Sequence, residues 1–295
     1  MIYLIIYTIL LLFVDKQGAA SQTISALRQW FETMIPALFP MMLYSSILVD
    51  TGFAQKVGNF LNRLLLKPFR LSNAGAYCLL TGFLFGFPMG AKTTADLCQR
   101  KALSKEEGTY LLTFINCIGP MYTLHLVQPA FSPVPLWKLL TGIYGIPLLY
   151  GLILRYCLYG NCSFHLRNAS KEPPNAQVGF WSALYSCVPK CAQSILNLGG
   201  YMVLFQILYV PLMHFQNSIN WQEPFLYPLL EITGGLTGLP ADTNPGLVLF
   251  YVIWGGGCCF VQTYSFLKPA GLSARNYLLH KTILALLGAA FGFFI

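Results

Sequence analysis

The chain has 295 residues, of which 56% are hydrophobic and only 9% are charged. Soluble domains carry about 25% charged residues, so this composition excludes an ordinary soluble domain. The net charge of +8 comes from lysines and arginines in short loops between apolar runs, which indicates membrane topology and argues against nucleic acid as a partner.

The apolar residues form continuous runs along the chain. Runs of about 20 such residues predict membrane-crossing helices, whereas alternating runs would predict a barrel. The runs are 1–14, 31–50, 74–91, 108–128, 136–158, 178–213, 225–239, 246–267 and 277–295. The first is short, and it is interpreted as a short first span rather than a signal peptide, because it lacks a basic n-region and a clear small-residue cleavage site. A polar linker at 160–177, predicted to be cytoplasmic, separates two halves of a single membrane domain over 1–295.

The basic residues predict which of these runs cross. Most of the 18 lysines and arginines lie in four loops, at 55–70, 92–107, 155–172 and 268–281. Loops rich in lysine and arginine stay on the cytoplasmic side. Since both 55–70 and 92–107 are basic, segment 74–91 between them is predicted to be a re-entrant hairpin that enters and leaves on the cytoplasmic side.

The second half shows the opposite arrangement. Loops 214–224 and 240–245 contain no lysine or arginine, so segment 225–239 is predicted to be a hairpin that enters from outside. Units 31–128 and 178–267 then form an inverted repeat, which is a common plan of secondary transporters. The predicted fold is an all-α membrane protein with about seven transmembrane helices and two oppositely oriented re-entrant hairpins.

Both spans that follow a hairpin are interrupted near their middle. Gly119 and Pro120 interrupt segment 108–128, and three glycines at 255–257 interrupt segment 246–267. Proline removes a helical hydrogen-bond donor, and glycine costs about 1 kcal/mol relative to alanine in a helix. Paired breaks in corresponding positions of two halves predict a binding site near the middle of the membrane.

Two ionisable residues in or beside the hairpins could carry function, since charge is costly in lipid. Glu231 would either bind a cation, a proton or a solute hydroxyl, or cap a hairpin helix. Lys92 lies in a sequence close to a P-loop, but Ala91 replaces the glycine before the lysine and no second nucleotide-binding motif is present. Lys92 is therefore interpreted as either a site residue or a topology anchor.

Amides beside the two breaks complete this set. Asn116 precedes the first break and Gln262 follows the second, and each would either contact a solute or satisfy freed backbone groups. Gln193 and Asn197 would face the same cavity or hydrogen-bond between helices. The sequence contains no HExxH or GxSxG motif and no zinc pattern of cysteines, so neither an enzyme, a metal site nor a cofactor is expected.

Three stretches carry a resemblance to a known family. They read GFPMGAKT at 86–93, FINCIGP at 114–120 and LEIT at 230–233. They resemble the YlbJ-like sporulation integral membrane proteins of the nucleoside-recognition, or gate-domain, superfamily, and the similarity runs in order over roughly the whole chain. The resemblance implies a multi-pass protein of the bacterial plasma membrane, related to the gate regions of nucleoside and ferrous-iron transporters.

In such transporters the hairpin tips and broken helices form the solute path. The resemblance therefore implies a solute site at Pro88, Gly90, Lys92, Thr93, Asn116, Gly119, Glu231 and Gln262. The family is linked to spore cortex formation, so the predicted function is movement of a small molecule or ion across the lipid bilayer during sporulation. The alternative is a non-transporting scaffold for spore-envelope assembly, and whether the chain forms a homo-oligomer stays open.

Overall fold

The computed structural model describes residues 6, 9–10, 13, 15–64, 67–130, 134–160, 162, 164, 178–218, 225–240 and 242–295. Within these ranges the regular elements are all helical, apart from turns. In chain order they are α1 (Lys16–Asp50), α2 (Phe53–Leu64), α3 (Asn73–Leu84), α4 (Met89–Gln99), α5 (Lys105–Leu112), α6 (120–130), α7 (Leu136–Cys157), α8 (Phe180–Ser218), α9 (Leu226–Leu230), α10 (Ile232–Thr237), α11 (Pro245–Trp254), α12 (Gly256–Ala270) and α13 (Ala274–Gly292).

Among the described residues, four stretches of helix are long and apolar enough to cross a membrane: α1, α7, α8 and the joined pair α11–α12. The described part of the chain is thus all-helical with four candidate membrane spans, as predicted in kind, whereas the predicted number of about seven crossings is not confirmed. α1 begins at Lys16 rather than at residue 31, because the alanine-containing stretch before residue 31 continues the helix and Asp15 accepts a hydrogen bond from the Gly18 amide at 2.8 Å. Most of segment 1–14 and of the linker at 160–177 lies outside the described residues.

The first predicted hairpin is a pair of antiparallel helices, α3 and α4. The chain reverses at Gly86, whose φ of +76° is readily adopted only by glycine. A Cβ on Gly90 would lie 2.8 Å from the Gly82 Cα, so the two helices touch through their glycines. Helices of 12 and 11 residues reach about 17 Å each, well short of the roughly 30 Å hydrocarbon core. The pair ends at Gln99 rather than at residue 91, because residues 92–99 continue the second helix.

The second predicted hairpin is shorter. It consists of α9 and α10, of five and six residues, which meet at Glu231. Glu231 has an extended backbone with φ −139° and ψ 117°, which interrupts the helix there. A Cβ on Gly235 would lie 2.9 Å from the Pro228 ring, so these two short helices also pack through a glycine.

Both predicted breaks are present, and each hairpin tip rests on the break that follows it. Residues 115–119 are not helical, and the Phe87 amide at the first tip donates to the Cys117 carbonyl at 2.7 Å. Gly256, with φ +78°, marks the second break. A Cβ there would lie 3.2 Å from the Leu230 carbonyl oxygen, so the second tip packs directly against glycine backbone.

Three basic residues that the loop pattern assigned to cytoplasmic loops are buried. Lys92 is 8% exposed in α4, Arg155 is 4% exposed near the end of α7, and Lys281 is 6% exposed in α13. The Arg155 guanidinium donates to the Phe69 carbonyl at 3.0 Å and so joins α7 to the segment before α3. The predicted cytoplasmic placement of these loops therefore depends on their remaining basic residues.

Candidate functional site

A cavity lies between the two hairpin tips. It contains about 710 Å³ of space between atoms and is partly open. Four of the eight predicted site residues line it: Pro88 at the first tip, Gly119 at the first break, Glu231 at the second tip and Gln262 in α12. The rest of the wall is mostly apolar, and α1 and α8 contribute Met34, Ala37, Leu38, Met41, Leu198 and Met202.

Glu231 caps the second helix of its hairpin and also faces the cavity. Its Oε1 accepts from the Thr233 amide at 2.9 Å, and its Oε2 accepts from the Gly234 amide at 2.7 Å. These amides belong to the first turn of α10, which has no backbone partner for them. The side chain is only 2% exposed. The capping role considered from the sequence is therefore present, and the carboxylate is at the same time part of the cavity wall.

Two polar side chains that the sequence analysis did not select lie beside Glu231. The Gln206 amide donates to Gln29 Oε1 at 2.9 Å and approaches Glu231 Oε2 at 3.5 Å, which links α1, α8 and the second hairpin. Among the described residues, its own side-chain oxygen has no hydrogen-bond partner, and neither has the buried hydroxyl of Tyr122, a residue of the cavity wall. A tyrosine or glutamine in an apolar helix gives no sequence signal for such a position, because either residue also occurs in helix packing.

Asn116 serves the packing of the first break and does not line the cavity. Its amide nitrogen donates to the Tyr277 hydroxyl at 2.8 Å and to Thr263 Oγ1 at 3.3 Å. Its side-chain oxygen accepts from the Ala91 amide at 3.4 Å, in the first turn of α4. Asn116 thus joins the first hairpin to α12 and α13, and only its contact with the Ala91 amide serves a backbone group.

Lys281 brings a positive charge to the same break. Its ammonium group donates to the Asn116 carbonyl, and it lies 5.3 Å from the centre of the Phe87 ring at the first hairpin tip. No carboxylate lies within ion-pair distance of it among the described residues. An isolated buried charge is expensive, so Lys281, between a hairpin tip and a broken helix, is a further candidate site residue.

Three other predicted site residues, Gly90, Lys92 and Thr93, lie on α4 and do not line the cavity. Lys92 forms an ion pair with Asp96 of the same helix at 2.9 Å, and Thr93 is 3.3 Å from the Ser45 hydroxyl of α1. Gly90 provides the close contact between α3 and α4. Thr93 therefore contacts α1 and Gly90 contacts α3, and none of the three residues reaches the cavity between the tips.

The base of the first hairpin contains a buried carboxyl that sequence reasoning missed. Glu107, fully buried at the start of α5, accepts from the Ser72 amide at 2.7 Å, just before α3. Its second oxygen, Oε2, has no hydrogen-bond partner in the part of the chain that the structure describes. Burial raises the pKa of Glu107 from 4.5 to about 7, against the lowering effect of the Ser72 hydrogen bonds and of the Arg155 charge.

Glu107 should make the protein less stable as pH rises. Between about 4.5 and about 7 the folded state binds more protons at this carboxyl than the unfolded state does. Its contribution to stability is therefore complete below pH 4.5 and is lost as pH rises through 7. At about 1.4 kcal/mol per pKa unit, the change is on the order of 3 kcal/mol.

Melting temperature measured against pH tests this expectation. Glu107→Gln should show a flatter profile across this window, whereas Glu106→Gln, at the exposed neighbouring position on the same helix, should keep the wild-type slope. The expectation is wrong if Glu107→Gln and wild type lose stability in parallel.

Two parts of the chain are similar to known proteins: residues 31–124, and a longer stretch that covers 65% of the chain. Residues 31–124 match the Gate family, described as nucleoside recognition. The chain is similar to the sporulation integral membrane protein YlbJ of Bacillus subtilis (strain 168), with 27% identity over 209 residues. The matched region is 65% of this chain and 51% of the relative, so the chain spans about half the length of that relative. No solved structure matches the chain.

The Gate match covers the second part of α1, the first hairpin and the first break, which includes Pro88, Asn116 and Gly119. It ends before Glu231 and Gln262. The resemblance predicted from the motifs is thereby confirmed. Residues 31–124 match the model of the nucleoside-recognition Gate family, and 65% of the chain is similar to a sporulation integral membrane protein.

Proposed function

We propose that the protein is a transporter-like gate that moves a small solute across the bacterial plasma membrane during sporulation, in spore cortex formation. The observation that carries the proposal is the cavity between two short hairpins, each seated on a broken helix. Transporters place solute sites at such points, because broken helices present backbone groups and helix ends to the solute near the middle of the membrane.

The polar groups at this cavity are suited to hold a solute that carries hydrogen-bonding groups. Glu231, Thr233 and Gln262 line it, and the Tyr122 hydroxyl is buried there beside Thr233, with no hydrogen bond of normal geometry among the described residues. A buried polar atom without a hydrogen bond costs about 1–3 kcal/mol. A solute that bonds this hydroxyl removes that cost, while the methionine and leucine side chains of α1 and α8 surround its apolar part.

The contact between α1 and α8 supports an inverted repeat. Gln29, near the middle of α1, pairs with Gln206 toward the end of α8 at 2.9 Å. Asp50, at the end of α1, meets Ser186 near the start of α8 at 3.4 Å. The first helices of the two proposed units therefore run in opposite directions, as units of opposite orientation require.

The proposal also assigns three further crossings. α13 has 19 residues and reaches about 28 Å, close to the thickness of the hydrocarbon core. Segment 108–128, which α5 and α6 form with the first break between them, is another, and Glu107 lies just before it. With segment 1–14 and the four long apolar helices, these give seven crossings.

A solute screen tests the proposed function. Purified protein would be heated with nucleosides, amino acids, metal ions and cell-wall precursors, and compounds that raise the melting temperature would be tested for uptake into vesicles containing the protein. We expect at least one compound to do both. If none stabilises the protein and a partner protein co-purifies with it stoichiometrically, a scaffold for spore-envelope assembly replaces the transport proposal.

A further inference from the structure

A second cavity lies directly beside the cavity between the hairpin tips. It contains about 300 Å³ of space between atoms. Its wall is more polar, with Ser194 and Asn197 from α8 and Ser265 from α12. It shares three residues with the first cavity: Pro88, Leu198 and Gln262.

Three helices place the two cavities in the same order along the molecule. On α8, Ser194 and Asn197 line the second cavity and Met202 lines the first. On α1, which runs in the opposite direction, Met41 lines the first cavity and the next residue lines the second. α12 agrees, because Cys259 lines the first cavity and residues 265–266 line the second. The cavities are therefore stacked along the helices.

The predicted topology gives this stack a direction. The linker at 160–177 is predicted to be cytoplasmic, so α8 starts on the inner side and the second cavity is the inner one. Polar residues continue from it toward the start of α8: Gln193 and Lys190 are exposed along the same helix. Exposed polar side chains within an apolar helix are costly in lipid, and a water-filled vestibule on the inner side accounts for them.

The wall between the cavities is made by residues from different parts of the fold. Pro88 belongs to the tip of the first hairpin, while Leu198 and Gln262 belong to α8 and α12 of the second half. Leu198 is 5% exposed and apolar, so its movement breaks no hydrogen bond. Gln262 is held by Cys258, whose sulfur lies 3.1 Å from its amide nitrogen. Of the three, Leu198 is the side chain best suited to move.

We propose that the two cavities are the outer and inner halves of one solute path, and that Leu198, which lines both cavities together with Pro88 and Gln262, closes the path between them. A shift of the first hairpin away from α8 opens this closure, because Pro88 and Leu198 sit on elements of different halves. The inference rests on the proposed transport function and assigns the position of its barrier.

Access to cysteines from each side tests the proposal without a known solute. Every variant in this experiment also carries Cys157→Ser and Cys162→Ser, which removes the two described cysteines that are not buried. Met41→Cys reports on the first cavity and Ser194→Cys on the second. A charged, membrane-impermeant methanethiosulfonate is added to vesicles of either orientation, and peptide mass spectrometry locates the modified residue.

We expect Met41→Cys to react from outside only and Ser194→Cys to react from inside only. Adding Leu198→Ala should make Ser194→Cys react at least tenfold faster from outside. Leu196→Ala is the matched control, since Leu196 lies on the same helix but is 55% exposed. If Leu198→Ala fails to insert, Leu198→Val takes its place, with a smaller increase expected.

The proposal is overturned if both reporter cysteines react from the same side in the protein with Leu198 intact. It is also overturned if Leu198→Ala leaves the rate at which Ser194→Cys reacts with reagent added from outside unchanged. Failure of the proposed transport function gives a different result. In that case the reporters behave as expected, but the solute screen finds no compound that is taken up.

Discussion

Replacing Lys281 by methionine is expected to leave the melting temperature within about 5 °C of the wild-type value and to reduce solute uptake at least tenfold. Burying an ammonium group without a carboxylate costs several kcal/mol. Its contact with the Asn116 carbonyl and its position over the Phe87 ring return part of this cost. The substitution removes both the cost of burying the ammonium group and the contacts that offset it, so the net change in stability is small. It also removes the positive charge at the first hairpin tip.

The melting temperature and vesicle uptake of the solute found by the screen would be measured together. Arg275→Met is the matched control, because Arg275 is an exposed cation in the first turn of α13. It should change neither quantity. A Lys281→Met protein that unfolds far below the wild-type temperature would show that the lysine is needed for folding, and unchanged uptake would remove it from the transport mechanism.

Glu231→Ala should have the largest effect on stability of the substitutions considered. It leaves the Thr233 and Gly234 amides without their carboxylate, and each buried unpaired amide costs about 1–3 kcal/mol. A loss of roughly 2–6 kcal/mol follows, which for a chain of this size lowers the melting temperature by on the order of 10 °C. Glu231→Gln keeps one acceptor oxygen, so its expected loss of stability is smaller.

Solute binding separates the two roles of this carboxylate. Glu231→Gln should still insert and fold, and its affinity for the solute should fall at least tenfold, because the charge facing the cavity is gone. Glu32→Gln, at an exposed position of α1, should bind as the wild type does. Wild-type affinity and uptake in Glu231→Gln would leave Glu231 as a helix cap only.

Several features of the fold follow from short-range rules and could be predicted from the sequence. The break at 115–119 precedes Pro120, and the second break falls at Gly255 and Gly256, which both adopt positive φ. Proline and glycine act on the backbone of their own neighbourhood, whichever helices surround them. The long apolar helices can be predicted in the same way, because the length and composition of each one are read directly from its own segment of the sequence.

The candidate site was only partly predictable, because it depends on contacts between residues that are far apart in the sequence. Asn116 has an amide side chain of the kind that contacts solutes, but this side chain donates a hydrogen bond to Tyr277, which is 161 residues away in the sequence. Lys92 and Lys281 both look like loop charges in the sequence, and both are buried. Whether a polar side chain meets a cavity or another helix depends on how distant segments pack, and a single sequence does not display that packing.

The sequence by itself determined that this is a helical membrane protein with helix breaks before Pro120 and at residues 255–256, and that its first unit resembles the Gate family. Only the tertiary structure decided that Pro88, Gly119, Glu231 and Gln262 share one cavity while Gly90, Lys92, Thr93 and Asn116 do not. Helix formation and helix breaks are set by neighbouring residues. The walls of a cavity are set by contacts between α1, α8, α12 and two hairpin tips, which lie far apart in the chain.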